Sequence, residues 1–213
     1  MRMRLKKNLE KRLEKCADIT IVEPEKVKGV WKEFFKNENP IHLEIGCGKG
    51  SFAIGMAQRH HQINFVAMEK DRNIVITAME RTKQLGLTNI LFICDNADFL
   101  EKFFEEDECS RLYLNFSDPL PKQGYRKRRL THERYLKSYK RILKDSSEIH
   151  QKTDNKGLFE FSLDSFLTFG LKVKNVSLNL HESGFAENIV TEYEAKFSEM
   201  GMPIYRAEAV ICK

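Results

Sequence analysis

From Ile41 onward, short apolar runs alternate with longer amphipathic stretches, and that alternation constrains the fold more than any other feature of the chain. The runs read IHLEI from Ile41, INFVAME from Ile63, ILFIC from Ile90, RLYLNF from Arg111 and SEIHQK from Ser147. All are of strand length, and most are rich in β-branched and aromatic residues. Between them, Phe52–Arg59, Arg72–Leu85, His132–Leu143 and Leu158–Phe169 carry apolar residues at spacings of three and four, which predicts helices. Strands alternating with helices predict a doubly wound α/β sheet, mostly parallel, with right-handed crossovers covering both faces. Further on, LKVKNVSLNL from Leu171 and IYRAEAVIC from Ile204 predict two late strands. They are expected to pair with each other at one side of the sheet and to supply an antiparallel strand near the C-terminus.

Residues 1–40 read differently, as a basic arm and a short helical lead-in to a single domain over residues 41–213. Leu5, Leu9 and Leu13 share one helical face among charged neighbours, while Val30-Trp31 and Phe34-Phe35 suggest a short helix packed on the body. A chain of 213 residues with 41% hydrophobic content can bury one sizeable core. The net charge of +5 is mild, so its distribution matters more than its total. Five cysteines without a CxxC pair suggest neither a disulfide framework nor a zinc site, and fit a reducing cytosol. No apolar stretch follows the basic N-terminus, and no later run is long enough to span a bilayer. His132, His150 and His181 lack Cys or Asp at metal-ligand spacing, so no metal is expected.

The first strand runs into Glu44-Ile45-Gly46-Cys47-Gly48-Lys49-Gly50. Glycines Gly46 and Gly48 let the backbone turn tightly against a ligand, with a helix N-terminus following. Glu44 at the strand end suits a ligand bearing positive charge, such as the ammonium and sulfonium of S-adenosylmethionine, better than a pyrophosphate. Glu69 closes the next strand, where an acid can accept both ribose hydroxyls of an adenosine. Asn96 follows the third strand, where a short polar side chain can reach an adenine edge. All three stand at carboxyl ends of consecutive strands, the crevice in which open α/β sheets bind ligands. Alone, a glycine turn is merely tight and a strand-ending acid caps a helix. The combination points to a nucleoside cofactor, with a nicotinamide-dependent oxidoreductase as the rival reading.

The fourth strand ends in Asn115-Phe116-Ser117-Asp118-Pro119-Leu120-Pro121-Lys122. Proline after an acid fixes an extended exit, so Asp118 is expected to project into the crevice beside the reacting group. Directly beyond lie Gly124, Tyr125, Arg126, Lys127, Arg128 and Arg129. Charge runs are usually solvated faces. This one borders the crevice, and its guanidinium forks match phosphate geometry, so it is read as a nucleic-acid contact.

The strings NFSDPLPK, KRRLT, IHQKTDNKGLFE and NIVTEYEAKF together resemble the signature blocks of the bacterial tRNA (guanine-N7-)-methyltransferase family, over a stretch from about Ile41 to the C-terminus. That resemblance implies a class I methyltransferase sheet of Rossmann-like form and S-adenosylmethionine as methyl donor. The donor would be held at Glu44, Glu69, Asn96 and Asp118, with a guanine of the tRNA variable loop as substrate. It further implies that Lys122, Asp154, Thr191, Glu192, Tyr193 and Glu194 hold the substrate and that Gly124–Arg129 touches the RNA; whether the chain acts as a monomer or homodimer is not given by the sequence. Read from the residues alone, Glu192 and Glu194 serve equally as a solvated helix start capped by Thr191. Three positions depart from the family pattern. Leu120 replaces a tryptophan, whose stacking surface is typically worth about 1–3 kcal/mol and for which Trp31 is a possible substitute. Gln151 replaces an aromatic and needs a hydrogen-bond partner if buried. Asn96 replaces an aspartate and keeps an amide oxygen for the adenine.

Guanine N7 carries an accessible lone pair, so its methylation needs no strong general base. What the reaction needs is extraction of the base, alignment of N7 with the methyl–sulfur bond, and tolerance of positive charge on the ring. Asp118, with Asp154 or Glu194 as further acceptors, is expected to take hydrogen bonds from guanine N1–H and the exocyclic amine, which grow more acidic as the ring gains charge. Two alternatives stand beside this reading: a methyltransferase acting on another nucleic-acid base or on an exocyclic amine, and an RNA-binding protein of this fold with little or no activity.

Overall fold

A computed structural model describes residues 6–213. Leu5, the first leucine of the expected N-terminal helical face, lies outside the described residues, as does Arg2. In chain order the elements are α1 (Leu9–Glu14), β1 (Thr20–Ile21), α2 (Trp31–Phe35), β2 (Ile41–Ile45), α3 (Ser51–Arg59), β3 (Asn64–Met68), α4 (Arg72–Gln84), β4 (Ile90–Ile93) and α5 (Leu100–Phe103). They continue as β5 (Cys109–Asn115), α6 (Glu133–Ile142), β6 (Leu143–Thr153), α7 (Lys156–Thr168), β7 (Lys172–Ser177), α8 (Glu192–Glu199) and β8 (Tyr205–Val210).

The sheet runs β1-β4-β3-β2-β5-β6-β8-β7. Strands β1 to β6 pair in parallel, and every residue of β2, β3 and β4 is buried, as parallel strands covered on both faces require. The two late strands do pair with each other, antiparallel. Strand β8 also pairs antiparallel with β6, so it lies between β6 and β7. Strand order reverses at β2, whose neighbours are β3 on one side and β5 on the other. The carboxyl ends of β2 and β5 therefore flank the switch point where such sheets bind ligands.

Helix starts follow local chemistry. Asp71 caps α4 by accepting from the Asn73 N–H, and Asn155 caps α7 by accepting from the Leu158 N–H. Gly50 adopts φ +80° at the entry to α3, and a Cβ there would stand 2.5 Å from that of Ala78. The turn can pack against α4 only without a side chain.

The lead-in belongs to the body from Cys16 onward. Thr20–Ile21 extends the sheet beside Phe92 and Ile93, and Cys16, Ile19, Val27, Trp31 and Phe35 share one core with the strands. Leu9 and Leu13 of α1 also pack against that core, as their shared helical face predicts, and Arg12 on Glu80 and Arg72 on Glu10 tie α1 to α4. Trp31 cannot stand in for the missing aromatic at Leu120. It is fully buried, donates Nε1–H to the Phe103 carbonyl at 2.9 Å and stacks on Phe104 at 5.1 Å.

Candidate active site

The glycine turn is bound to the end of the neighbouring strand. The Gly46 and Cys47 N–H groups both donate to the Met68 carbonyl, at 2.8 and 3.0 Å. Gly46 and Gly48 adopt φ +81° and +56°, and a Cβ on either would meet nothing within 4 Å. Both glycines are thus needed for backbone conformation, and both face open space. That space is a cavity of about 390 Å³ whose lining includes Glu44, Gly46, Gly48, Asn115, Phe116 and Tyr193. It falls within the range of small-molecule and cofactor sites.

Glu44 is 3% exposed, at the floor of this cavity. Its Oε1 accepts from Asn115 Nδ2 at 2.9 Å, across the switch point, while its buried Oε2 has no partner. Loss of hydration pushes the carboxyl up to about 7, against the pull of the Asn115 hydrogen bond and of Lys152 nearby. A buried carboxylate in the wall of a cavity, with one oxygen unbonded, calls for a ligand cation or donor, since such an orphan otherwise costs free energy. Asn115 received no separate role from the sequence. Its place at the end of the strand adjoining that of Glu44 is the signal that could have found it.

Glu69 is 9% exposed and sits beside the turn. Its Oε2 accepts from the Gly48 N–H at 3.2 Å and its Oε1 from the Asp71 N–H at 3.1 Å, which fixes the carboxylate and leaves further lone pairs free. Asn96 lies farther out and is exposed. It caps the turn at Ala97–Phe99, its Oδ1 accepting from the Asp98 N–H and its Nδ2 donating to Asp98 Oδ2, both at 3.2 Å.

Asp118 was expected to project into the crevice; it is not among the residues that line the cavity, and its side chain is 77% exposed two residues beyond the lining Phe116, with Lys70 Nζ 3.9 Å away. Backbone strain flanks it: Phe116 has φ +52° and Leu120 φ +43°, the left-handed region that side-chain-bearing residues rarely enter. Tyr193 covers this edge, its ring 5.1 Å from that of Phe116. Burial raises the Tyr193 phenol, and the charges of Asp154 and Asp118 add to the shift. Lys122 is exposed just beyond.

The stretch from Thr191 to Glu194 divides into an outer and an inner part. Thr191 Oγ1 accepts from the Glu194 N–H, and the Glu194 carboxylate receives the Thr191 N–H in return, so the capping reading of these residues is what forms. Glu192 points outward and pairs with Lys49 across the cavity mouth at 3.0 Å. Glu194 is fully buried, with Lys152 Nζ 2.7 Å from Oε2 and Asn188 Nδ2 2.6 Å from Oε1. It lies inside the wall of the crevice rather than on its surface. Lys152, unassigned from the sequence, also donates to Asn188 Oδ1 and the Ile189 carbonyl. A lysine inside a strand, between Gln151 and Thr153, was the available sign of a buried partner. Gln151 is 1% exposed; its Nε2 donates to Ser162 Oγ at 2.8 Å and its Oε1 has no partner.

The basic segment forms a short helical turn over Gln123–Arg128 with no buried residue. Arg128 lies over the Tyr125 ring at 5.2 Å, and Lys127 is exposed. Arg126 and Arg129 both lie over Phe161, at 4.9 and 4.5 Å. Away from the crevice, Glu148, His150 and Glu208 bring ligand-type atoms within 4.8 Å of one another, but Arg111, Lys174 and Arg206 already pair with the two carboxylates.

Residues 38–207 match a family model described as "Putative methyltransferase". Among solved structures, the 16S rRNA methyltransferase KamB is similar with a TM-score of 0.64 at 13% identity, covering 86% of this chain and 93% of that one. The 16S rRNA (adenine(1408)-N(1))-methyltransferase of Catenulisporales acidiphilia gives 0.62 at 11% identity, covering 91% and 93%. Sheet order, crevice and these likenesses define a methyltransferase of the class I fold. Proteins named tRNA (guanine-N(7)-)-methyltransferase are 48% identical in Bacillus velezensis, over 98% of this chain and 96% of that one, and 47% identical in Bacillus subtilis, over 98% of each. The same name belongs to a Staphylococcus saprophyticus protein 47% identical over 98% of this chain and 99% of its own. The chain belongs to the tRNA (guanine-N(7)-)-methyltransferase family.

Proposed function

We propose that this protein transfers a methyl group from S-adenosylmethionine to N7 of a guanine in the tRNA variable loop, in the cytosol. The observation that carries the reading is Glu44: a buried carboxylate with one oxygen unbonded, in the wall of a cavity edged by glycines. The donor, when bound, supplies an electrophilic methyl group on a sulfonium centre and presents an ammonium that suits Glu44 Oε2. Glu69, already oriented by two backbone N–H groups, has lone pairs left for ribose hydroxyls. Asn96 would meet the adenine edge only by turning from its cap on Asp98. Family membership and the relatives' shared name favour tRNA over other nucleic acids.

On the substrate side, Asp118 and Asp154 offer acceptors for guanine N1–H and its amine, and Tyr193 offers a ring face. A fixed negative charge there stabilises the developing cationic ring more than the neutral base. Glu194, enclosed and fully bonded, acts by holding Thr191 and Tyr193 in position. Lys122, Tyr125, Arg126, Lys127 and Arg128, with the Gly124 backbone, form the RNA-facing rim. Incubation with labelled S-adenosylmethionine and unmodified tRNA, followed by nucleoside analysis, tests the assignment. Label in 7-methylguanosine is expected. Label in another nucleoside, or tRNA binding without transfer, would sink it.

A further inference from the structure

Arg129 ends the basic run, yet its side chain turns away from the rim. Its Nε donates to the Pro119 carbonyl at 3.0 Å and its Nη2 to the Leu120 carbonyl at 3.1 Å. The guanidinium lies 4.5 Å over the Phe161 ring, and the residue is half-buried while Arg126, Lys127 and Arg128 are exposed. Its backbone is anchored too: the Arg129 N–H donates to the Arg126 carbonyl, and its own carbonyl accepts from the His132 N–H.

The turn so held needs outside support. Asp118-Pro119-Leu120-Pro121 has two prolines, so two of its four residues have no N–H with which to brace the loop. Leu120 sits at φ +43°, a conformation that is costly for a non-glycine residue and persists only where neighbours impose it. A planar fork with two donors at fixed spacing can grip two successive carbonyls. An ammonium on a flexible stem cannot hold both in one geometry.

We propose that Arg129 is a positioning residue for methyl transfer, fixing the turn that presents Asp118 rather than contacting RNA phosphate. This rests on the reading of Asp118 given above. The inference divides the basic segment into residues that meet the RNA and one that aims the carboxylate. Displacement of a reacting group by about 1 Å can lower a rate on the order of a hundredfold, so loss of the fork should appear in the chemical step.

The test compares Arg129→Lys, Arg129→Ala and Asp118→Asn in the full chain. Single-turnover methylation with saturating donor and tRNA should fall on the order of a hundredfold in both Arg129 variants. Their tRNA affinity should stay within about threefold, and the slope of log affinity against log salt should not change, because no phosphate contact is lost. Arg129→Lys carries the decision even if Arg129→Ala folds poorly, since it keeps the charge and an aliphatic stem on Phe161. Hydrogen exchange at the Tyr125 amide, which donates to the Lys122 carbonyl at the foot of the turn, should quicken in Arg129→Lys about tenfold or more, a readout independent of activity. A near-normal rate and exchange in Arg129→Lys, or a salt slope reduced by about one in Arg129→Ala with a near-normal rate at saturating tRNA, overturns the proposal. If instead Asp118→Asn keeps its rate while exchange at the turn quickens in Arg129→Lys, the role of Asp118 is what fails.

Discussion

Lys152 and Glu194 form a buried ion pair, 2.7 Å between Nζ and Oε2, that joins the C-terminal end of β6 to the first turn of α8. Burial lowers the Lys152 ammonium, and the attraction of Glu194 opposes that shift. Removing one partner leaves an uncompensated charge in the interior, which typically costs about 3–5 kcal/mol. Glu194→Ala is therefore expected to lower stability by that order in urea unfolding. The double variant Lys152→Met/Glu194→Leu should recover much of the loss. A single variant as stable as the wild type would mean that the pair is open to water.

Donor binding should depend on pH through Glu44. In the free protein its carboxyl is raised from 4.5 to about 7 by burial. The folded state therefore holds a proton that the unfolded state has released, so this group's contribution to stability declines as pH rises from 4.5 to about 7. A ligand ammonium reverses the preference and favours the carboxylate, so binding releases a proton below pH 7. Affinity for S-adenosylhomocysteine should climb with pH, at most about tenfold per unit, and level off above 7. Calorimetry in buffers of contrasting ionisation enthalpy reads the released proton directly. Glu44→Gln should bind more weakly and without proton release; proton release that persists in this variant would assign the effect to another group.

Asp118 is expected to matter for rate rather than for affinity. Guanine N7 needs no deprotonation, so the useful property is a fixed charge and acceptor geometry beside the base. Asparagine keeps the shape but loses the charge and turns a donor toward guanine's own donors. Asp118→Asn and Asp118→Ala should each lower the single-turnover rate about a hundredfold or more, with tRNA affinity little changed. A near-normal rate in Asp118→Asn moves the acceptor role to Asp154.

Removal of Lys127 and Arg128 together should reduce the salt slope of tRNA binding by about two, since each phosphate contact contributes about 0.9. S-adenosylhomocysteine affinity should stay constant in the same variant. An unaltered slope would relocate the RNA face, with Lys7 and Lys11 of the N-terminal segment the next residues to replace.

Much of this architecture was legible because hydrophobic period reports burial directly. Helix α4 begins at the predicted residue, Arg72, where Asp71 caps its start, and ends at Gln84, one residue short of the predicted Leu85. Strand β1 escaped notice because two residues, Thr20 and Ile21, hold no period, and only the β4 edge makes them a strand. Strand β6 begins at Leu143, before the apolar run at Ser147, because α6 feeds straight into it and Ser146 turns with φ +61°. In the site, Glu44 and Glu69 were visible from their place at strand ends. The enclosure of Glu194 was not, since its partner lies 42 residues earlier in the chain. Nor can a basic run disclose that one of its arginines bonds the carbonyls of residues nine and ten positions back.

The position of β8 bears on how the protein is made. Every other strand precedes it in the chain, yet it is the one that separates β6 from β7. During synthesis on the ribosome, β7 therefore emerges with no neighbour in the sheet, and β6 waits with one edge open. Open edges invite pairing with other chains. Strands β5 and β6, together with the turn bearing Asp118, can thus be laid down early, but Tyr205–Val210 must be translated before the sheet closes. A message truncated ahead of that segment would yield a chain with its donor crevice largely in place and a sticky flank, prone to aggregate rather than to work slowly.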